Sequence, residues 1–248
     1  MYFKSVNGIT GITDVYKRQV CTGATASASF TGTGTTYTWT NSNTGIGLAA
    51  SGTGSIPFFT ATNASTAPVV ATIEVTPHYT NNSVTCDGTP QTFTITVNPK
   101  GQVNDPANQV VCNGLPVTAI NFTTNNTGGT TTYTWVNNTP SIGLAASGTG
   151  PIASFNAANL GTSPVTATIT VTPHFDNGAP ICDGTAETFT ITVNPTGQVN
   201  DPVDQVVCKG SSTTTVIFGT ANTGGTTTYT WTNSTPGIGC LLYTSRCV

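Results

Sequence analysis

Seven cysteines and two histidines are the side chains of this sequence best suited to chemistry, and most of them recur at matching places. Cys21 and Cys86 lie 65 residues apart and Cys112 and Cys182 lie 70 apart, each pair enclosing a tryptophan, Trp39 or Trp135. Disulfide formation is the chemistry such pairs support. The economical connectivity closes within each unit, Cys21 to Cys86 and Cys112 to Cys182, tying a first strand to the loop before a last one. A closed loop of that length contributes on the order of 4 kcal/mol at most, and disulfides imply an oxidising compartment, hence export. Cys208 repeats the place of Cys112 without a second cysteine at the matching distance, and Cys240 and Cys247 fall outside the pattern.

His78 and His174 also occupy equivalent places, in T-P-H-Y and T-P-H-F, just past an expected strand end. One histidine per unit, without cysteines or a carboxylate cluster at ligand spacing, reads as a loop-packing residue and not as a metal ligand. A hydrolase needs a nucleophile, a base and an orienting acid. No G-x-S-x-G elbow is present and these histidines are the only candidate bases, so no catalytic residue is assigned and the chain is expected not to be an enzyme. Calcium, a hard cation wanting six to eight oxygens, would sit at Asn104-Asp105-Pro106 and Asn200-Asp201-Pro202, with Glu74, Asp87 or Asp183 converging. The reading given more weight is a turn, since Asn and Asp initiate turns and proline fixes the next backbone angle; no metal or cofactor is expected. Tyr79, Phe175, Phe58 and Phe59 are the aromatics placed to stack on a sugar, although they form no clear platform. Sequon matches at Asn63 and Asn121 are of the kind chance supplies in so Asn- and Thr-rich a chain.

These features recur because the chain repeats every 96 residues. Ile46 to Gly54 and Ile142 to Gly150 both read I-G-L-A-A-S-G-T-G, and T-F-T-I-T-V-N-P occupies both Thr92 to Pro99 and Thr188 to Pro195. Such a period suits an autonomous domain copied in tandem. The boundaries expected are residues 20–100 and 101–196 for two units and 197–239 for part of a third. Residues 1–19 and 240–248 break the pattern and resemble translated sequencing-adapter read-through at the ends of a longer secreted protein. Within a unit, Val165, Ala167, Ile169 and Val171 alternate with threonines, as do Phe189, Ile191 and Val193. Alternation gives each strand an apolar face and a threonine face, the second read as solubilising and not as ice- or sugar-binding. Tyr37 with Trp39, Tyr133 with Trp135 and Tyr229 with Trp231 supply the largest core side chains. Further strands are expected at Val110–Cys112, Val117–Phe122, Ile142–Ala146 and Ile152–Phe155, with turns between. About seven short strands per unit and no helical period predict an all-β chain of tandem immunoglobulin-like sandwiches.

Charge excludes other classes. Only 6% of residues are charged, and between Val20 and Gly239 Lys100 and Lys209 face eight carboxylates, a net of −6. Without a basic patch, nucleic-acid binding is not expected, and no stretch approaches the roughly 18 apolar residues of a membrane span.

With Y-T-W, I-G-L-A-A-S-G-T-G, A-T-I-T-V-T-P, C-D-G-T and T-F-T-I-T-V-N-P in place, residues Val20 to about Gly239 resemble the PKD-like repeats of giant surface proteins. Such proteins occur in gliding Gram-negative bacteria and often end in a type IX secretion sorting domain. The resemblance implies an immunoglobulin-like sandwich, extracellular placement, and adhesion to an unspecified glycan or protein surface or spacing of other domains from the cell. It brings no catalytic residues. A carbohydrate-binding module acting through loops at one end of each sandwich is the rival reading.

Overall fold

The computed structural model describes residues 17–32 and 36–239. The first unit contains β1 (Lys17–Cys21), β2 (Thr25–Ala28), β3 (Thr36–Asn41), β4 (Ser51–Thr53), β5 (Ile56–Thr60), β6 (Val69–Asn81), β7 (Val84–Asp87) and β8 (Gln91–Asn98). The second repeats the set as β9 (Gln109–Cys112), β10 (Pro116–Val117), β11 (Thr130–Asn137), β12 (Ser147–Thr149), β13 (Phe155–Asn156), β14 (Val165–Asp176), β15 (Cys182–Asp183) and β16 (Glu187–Asn194). Each unit pairs a large sheet, β1-β8-β6-β3-β4 or β12-β11-β14-β16-β9, with a two-stranded one, β2-β5 or β10-β13. The hairpin strands β7 and β15 add to β6 and β14. The fold is all-β, tandem immunoglobulin-like sandwiches, with eight strands per unit where seven are expected.

The threonine alternation does what strand geometry requires. Ala167, Ile169 and Val171 of β14 and Phe189, Ile191 and Val193 of β16 are buried, while Thr166 and Thr192 meet across the outer face at 2.9 Å. Trp39, Tyr133 and Trp135 lie in the cores, and Tyr37 packs against its core from a half-buried position. Each unit has its own core. One pairing is not antiparallel: β1 runs parallel to β8, and β9 to β16. The first strand of a unit therefore ends where its last strand ends, at the exit toward the next unit.

Three expectations change. The run expected as a strand over Ile142–Ala146 begins with a 3-10 turn, Pro140–Ile142, ending at Gly143 with φ 95°. Its shape is held by buried Asn137, whose Nδ2 donates to the carbonyls of Leu144 and Ala145 and whose Oδ1 accepts from the Thr139 N–H. Asn41 does the same for Leu48, Ala49 and Asn43. Secondly, Tyr229 and Trp231 are half-buried and in no strand, so they are not core residues like their counterparts. In the second unit the same T-T-T-Y-T-W run is β11, held between β12 and β14; among the described residues nothing equivalent to β14 lies beside it. Thirdly, Lys17–Gln19, assigned to the segment outside the repeat, form the start of β1 and pair with Thr94–Thr96, because a ladder is made of backbone groups that any side chain allows. The rest of that segment, residues 1–16, and the tail at 240–248 lie outside the described residues.

Candidate functional site: the junction between units

The disulfide joins Cys21 of the first unit to Cys182 of the second, 161 residues away, and Cys86 and Cys112 are free and exposed. The pairing expected within each unit is thus corrected. Its physical cause is strand direction. Cys112 is opposite Asn194, at the exit end of β16, whereas Cys182 is opposite Phe175 near the other end of β14. A strand of 12 residues separates those ends by roughly 30–40 Å, and a disulfide needs Cα atoms within about 7 Å. Cys21, beside Asn98 at the exit end of β8, meets the entry end of the next unit instead.

Around the bridge, hydrogen bonds link the two units and fasten the start of the second. Asn126 accepts from the Gln102 N–H at 2.7 Å and donates to the carbonyls of Thr66 and Lys100. Thr127 N–H donates to the same Thr66 carbonyl, and Gly101 N–H to that of Cys182. Asn177 donates to the fully buried Asn98, which donates in turn to Gln19. Glycines permit the approach: a Cβ on Gly184 would stand 1.8 Å from the Gly101 carbonyl oxygen, and one on Gly128 2.9 Å from Pro68.

The next junction repeats this set. Asn222 accepts from the Gln198 N–H at 2.7 Å and donates to the carbonyls of Thr162 and Thr196, and Thr223 N–H donates to Thr162. Gly224 likewise approaches Pro164. Thus Asn222, Thr162 and Pro164 reproduce Asn126, Thr66 and Pro68 one period later.

The histidines take a different place from the one expected. His78 and His174 lie inside β6 and β14, not past a strand end. Each has a carboxylate at 2.6 Å from Nδ1, Asp87 or Asp183, and a threonine Oγ1 at 2.9 Å from Nε2, Thr38 or Thr134. A carboxylate only accepts, so Nδ1 carries the proton of that bond, and the threonine hydroxyl and Nε2 share the second one. This order of groups matches a hydroxyl–base–acid relay. It lies, however, across three strands of an exposed sheet face, with a β-branched hydroxyl held by its own strand. Its hydrogen bonds join strands. It ties β7 and β15, which carry Cys86 and Cys182 immediately before the aspartates, to the strand two places away. Sequence reading missed the pair, although the nine-residue spacing across a hairpin is the same in both units. Elsewhere, burial raises the Tyr133 phenol above its ordinary pKa, with a hydrogen bond to Thr124 opposing that rise, and burial lowers that of Arg18, whose guanidinium donates to the Ser27 carbonyl.

For calcium, Asn104 donates its N–H and Nδ2 to Thr123, and Asn200 its N–H to Gly219, while Asp105 and Asp201 are exposed. Among the described residues no three His, Cys, Asp or Glu side chains gather as a metal site. The Asn63 amide donates to Ala67 and Val97. Among the described residues no helix is long and apolar enough to cross a membrane.

The chain matches no family model, and no curated protein matches it in sequence. Among solved structures it is similar to the surface layer protein SbsC, domains 1-6, at TM-score 0.25 and 16% identity, covering 68% of this chain and 21% of that one. It is also similar to mouse cadherin-23 EC22-24, at TM-score 0.38 and 15% identity over 87% of this chain and 77% of that one. A third likeness, to an I9-I11 tandem from titin, has TM-score 0.29 and 14% identity over 74% and 65%. The chain spans about a fifth of the length of that surface layer protein chain.

Proposed function

We propose that the chain is a non-catalytic, extracellular repeat region of a large bacterial surface protein of the PKD-like kind, exported by the type IX route and acting as an adhesive stalk or spacer. Its modules are residues 20–100, lengthened at the start by Lys17–Gln19 of β1, 101–196 and, in part, 197–239. The observation that carries this reading is the duplicated junction: the same asparagine, threonine and proline contacts at both places, with a covalent bridge across the first. A junction held this way resists bending, which is what a spacer needs, and a disulfide persists only where conditions are oxidising. The His–Asp pairs serve the same end, since they hold the strand that carries the bridging cysteine. The partner at the far end is an extracellular glycan or protein.

Pulling single molecules of the chain by their two ends tests the mechanical part. The bridge shields the residues between Cys21 and Cys182 from force, so reductant should lengthen the fully extended chain by roughly 550 Å. Equal extension with and without reductant contradicts the reading. Saturable binding on a glycan array favours a carbohydrate-binding module instead.

A further inference from the structure

We infer that the disulfide between Cys21 and Cys182 is one link of an interlocked series, in which the first-strand cysteine of each module is bridged to the second cysteine of the module that follows. Cys112 and Cys208 are then bridging sites for the second cysteine of modules three and four, and Cys86 for the first-strand cysteine of a preceding module. This goes beyond the spacer reading and rests on it only in taking the chain as part of a longer run of modules.

Three observations lead here. The parallel first strands place Cys21 and Cys112 at the exit ends of their modules, opposite Asn98 and Asn194. The second cysteines, Cys86 and Cys182, lie opposite Tyr79 and Phe175 at the entry ends. Hence a module presents one cysteine forward and one backward, too far apart to join each other. The residues after Gly197 dock on module two through the contacts with which module two docks on module one. A complete third module in that frame brings its second cysteine to Cys112 as Cys182 is brought to Cys21. Finally, the cysteines for which the sequence holds no such partner cysteine, Cys86, Cys112 and Cys208, are all exposed thiols; one period after Cys182 lies past Val248.

Each link forms when two thiols lose two protons and two electrons to a thiol–disulfide oxidant, whose own disulfide becomes two thiols. Successive links overlap, since Cys112 lies inside the span closed by Cys21 and Cys182. Breaking one link therefore leaves the region from Cys112 to Cys182 enclosed by the next.

The test extends the chain so that module three is complete: Leu144–Pro195 is copied after Gly239 in place of residues 240–248, and the product is refolded with oxidised and reduced glutathione. Non-reducing peptide mapping should find Cys21 linked to Cys182 and Cys112 linked to the copied second cysteine, with Cys86 and Cys208 alkylated. The inference is overturned if Cys112 is linked to Cys182, or is alkylated while Cys21–Cys182 is intact. The original chain carrying Cys21→Ser keeps the question open to refutation if the extension does not fold. There Cys112 and Cys182 should both alkylate; a bond between them shows that cysteines of one module do join.

Discussion

Two glycines of the repeated motif owe their identity to a single neighbour each. A Cβ on Gly148 would stand 2.2 Å from Trp135 Cζ2, and one on Gly52 2.3 Å from the same atom of Trp39. Gly148→Ala should therefore destabilise the second unit by about 2 kcal/mol through overpacking, read as a lower denaturation midpoint at unchanged slope. Asn137 is the complementary case, a buried amide with each of its groups engaged. Asn137→Ala leaves two carbonyls and an N–H without their partner and should cost about 2–3 kcal/mol; Asn137→Asp should fare no better, because a carboxylate cannot donate. The His174–Asp183 pair is weaker, since the aspartate side chain is 70% exposed. Losing it should be worth about 1 kcal/mol or less. His174→Ala should accordingly leave the fold intact and speed reduction of Cys21–Cys182 by dithiothreitol up to roughly fivefold.

At the scale of elements, strand direction decides more than strand composition. Were β1 antiparallel to β8, Cys21 would point back toward its own module's entry, near Cys86. Parallel pairing sends it across the junction to β15. The loop from Asn125 to Gly129 then closes the other side, through Asn126 on Thr66 and Lys100. Asn126→Ala removes five side-chain hydrogen bonds, two of which, to the carbonyls of Thr66 and Lys100, cross the junction, and none of which lies in a core. The expected result is a wider spread of inter-module orientation in small-angle scattering, with each unit's unfolding changed by less than about 1 kcal/mol. An unchanged scattering profile would assign the stiffness to the disulfide and linker alone.

Among the described residues, two sandwiches with separate cores are joined by one long covalent loop. Closing a loop of 161 residues contributes about 5 kcal/mol in the chain-entropy account. Because the loop spans both units, reduction should lower the stability of both and separate their unfolding into two transitions. Bridges within each unit would lower both stabilities without coupling the units, so the splitting of the unfolding on reduction, read by calorimetry, distinguishes the two connectivities.

Much of this was legible in the residues. Alternating threonines and the 96-residue period determine β-strands, their buried faces and the copied units, since side-chain direction in a strand depends on local parity alone. The tryptophan-bearing strands follow from the same parity in the two units where partner strands surround them. The cysteine connectivity did not follow. Pairing within a unit and pairing across a junction obey the same repeat equivalence, and spacing does not separate them. Only the parallel first strand places Cys21 next to Cys182. Likewise the His–Asp pairs required the hairpin register, and the place of Ile142–Ala146 required Asn137. Sequence determined which residues face inward; tertiary structure decided which end of the module each cysteine reaches, because strand direction depends on partners distant in the chain.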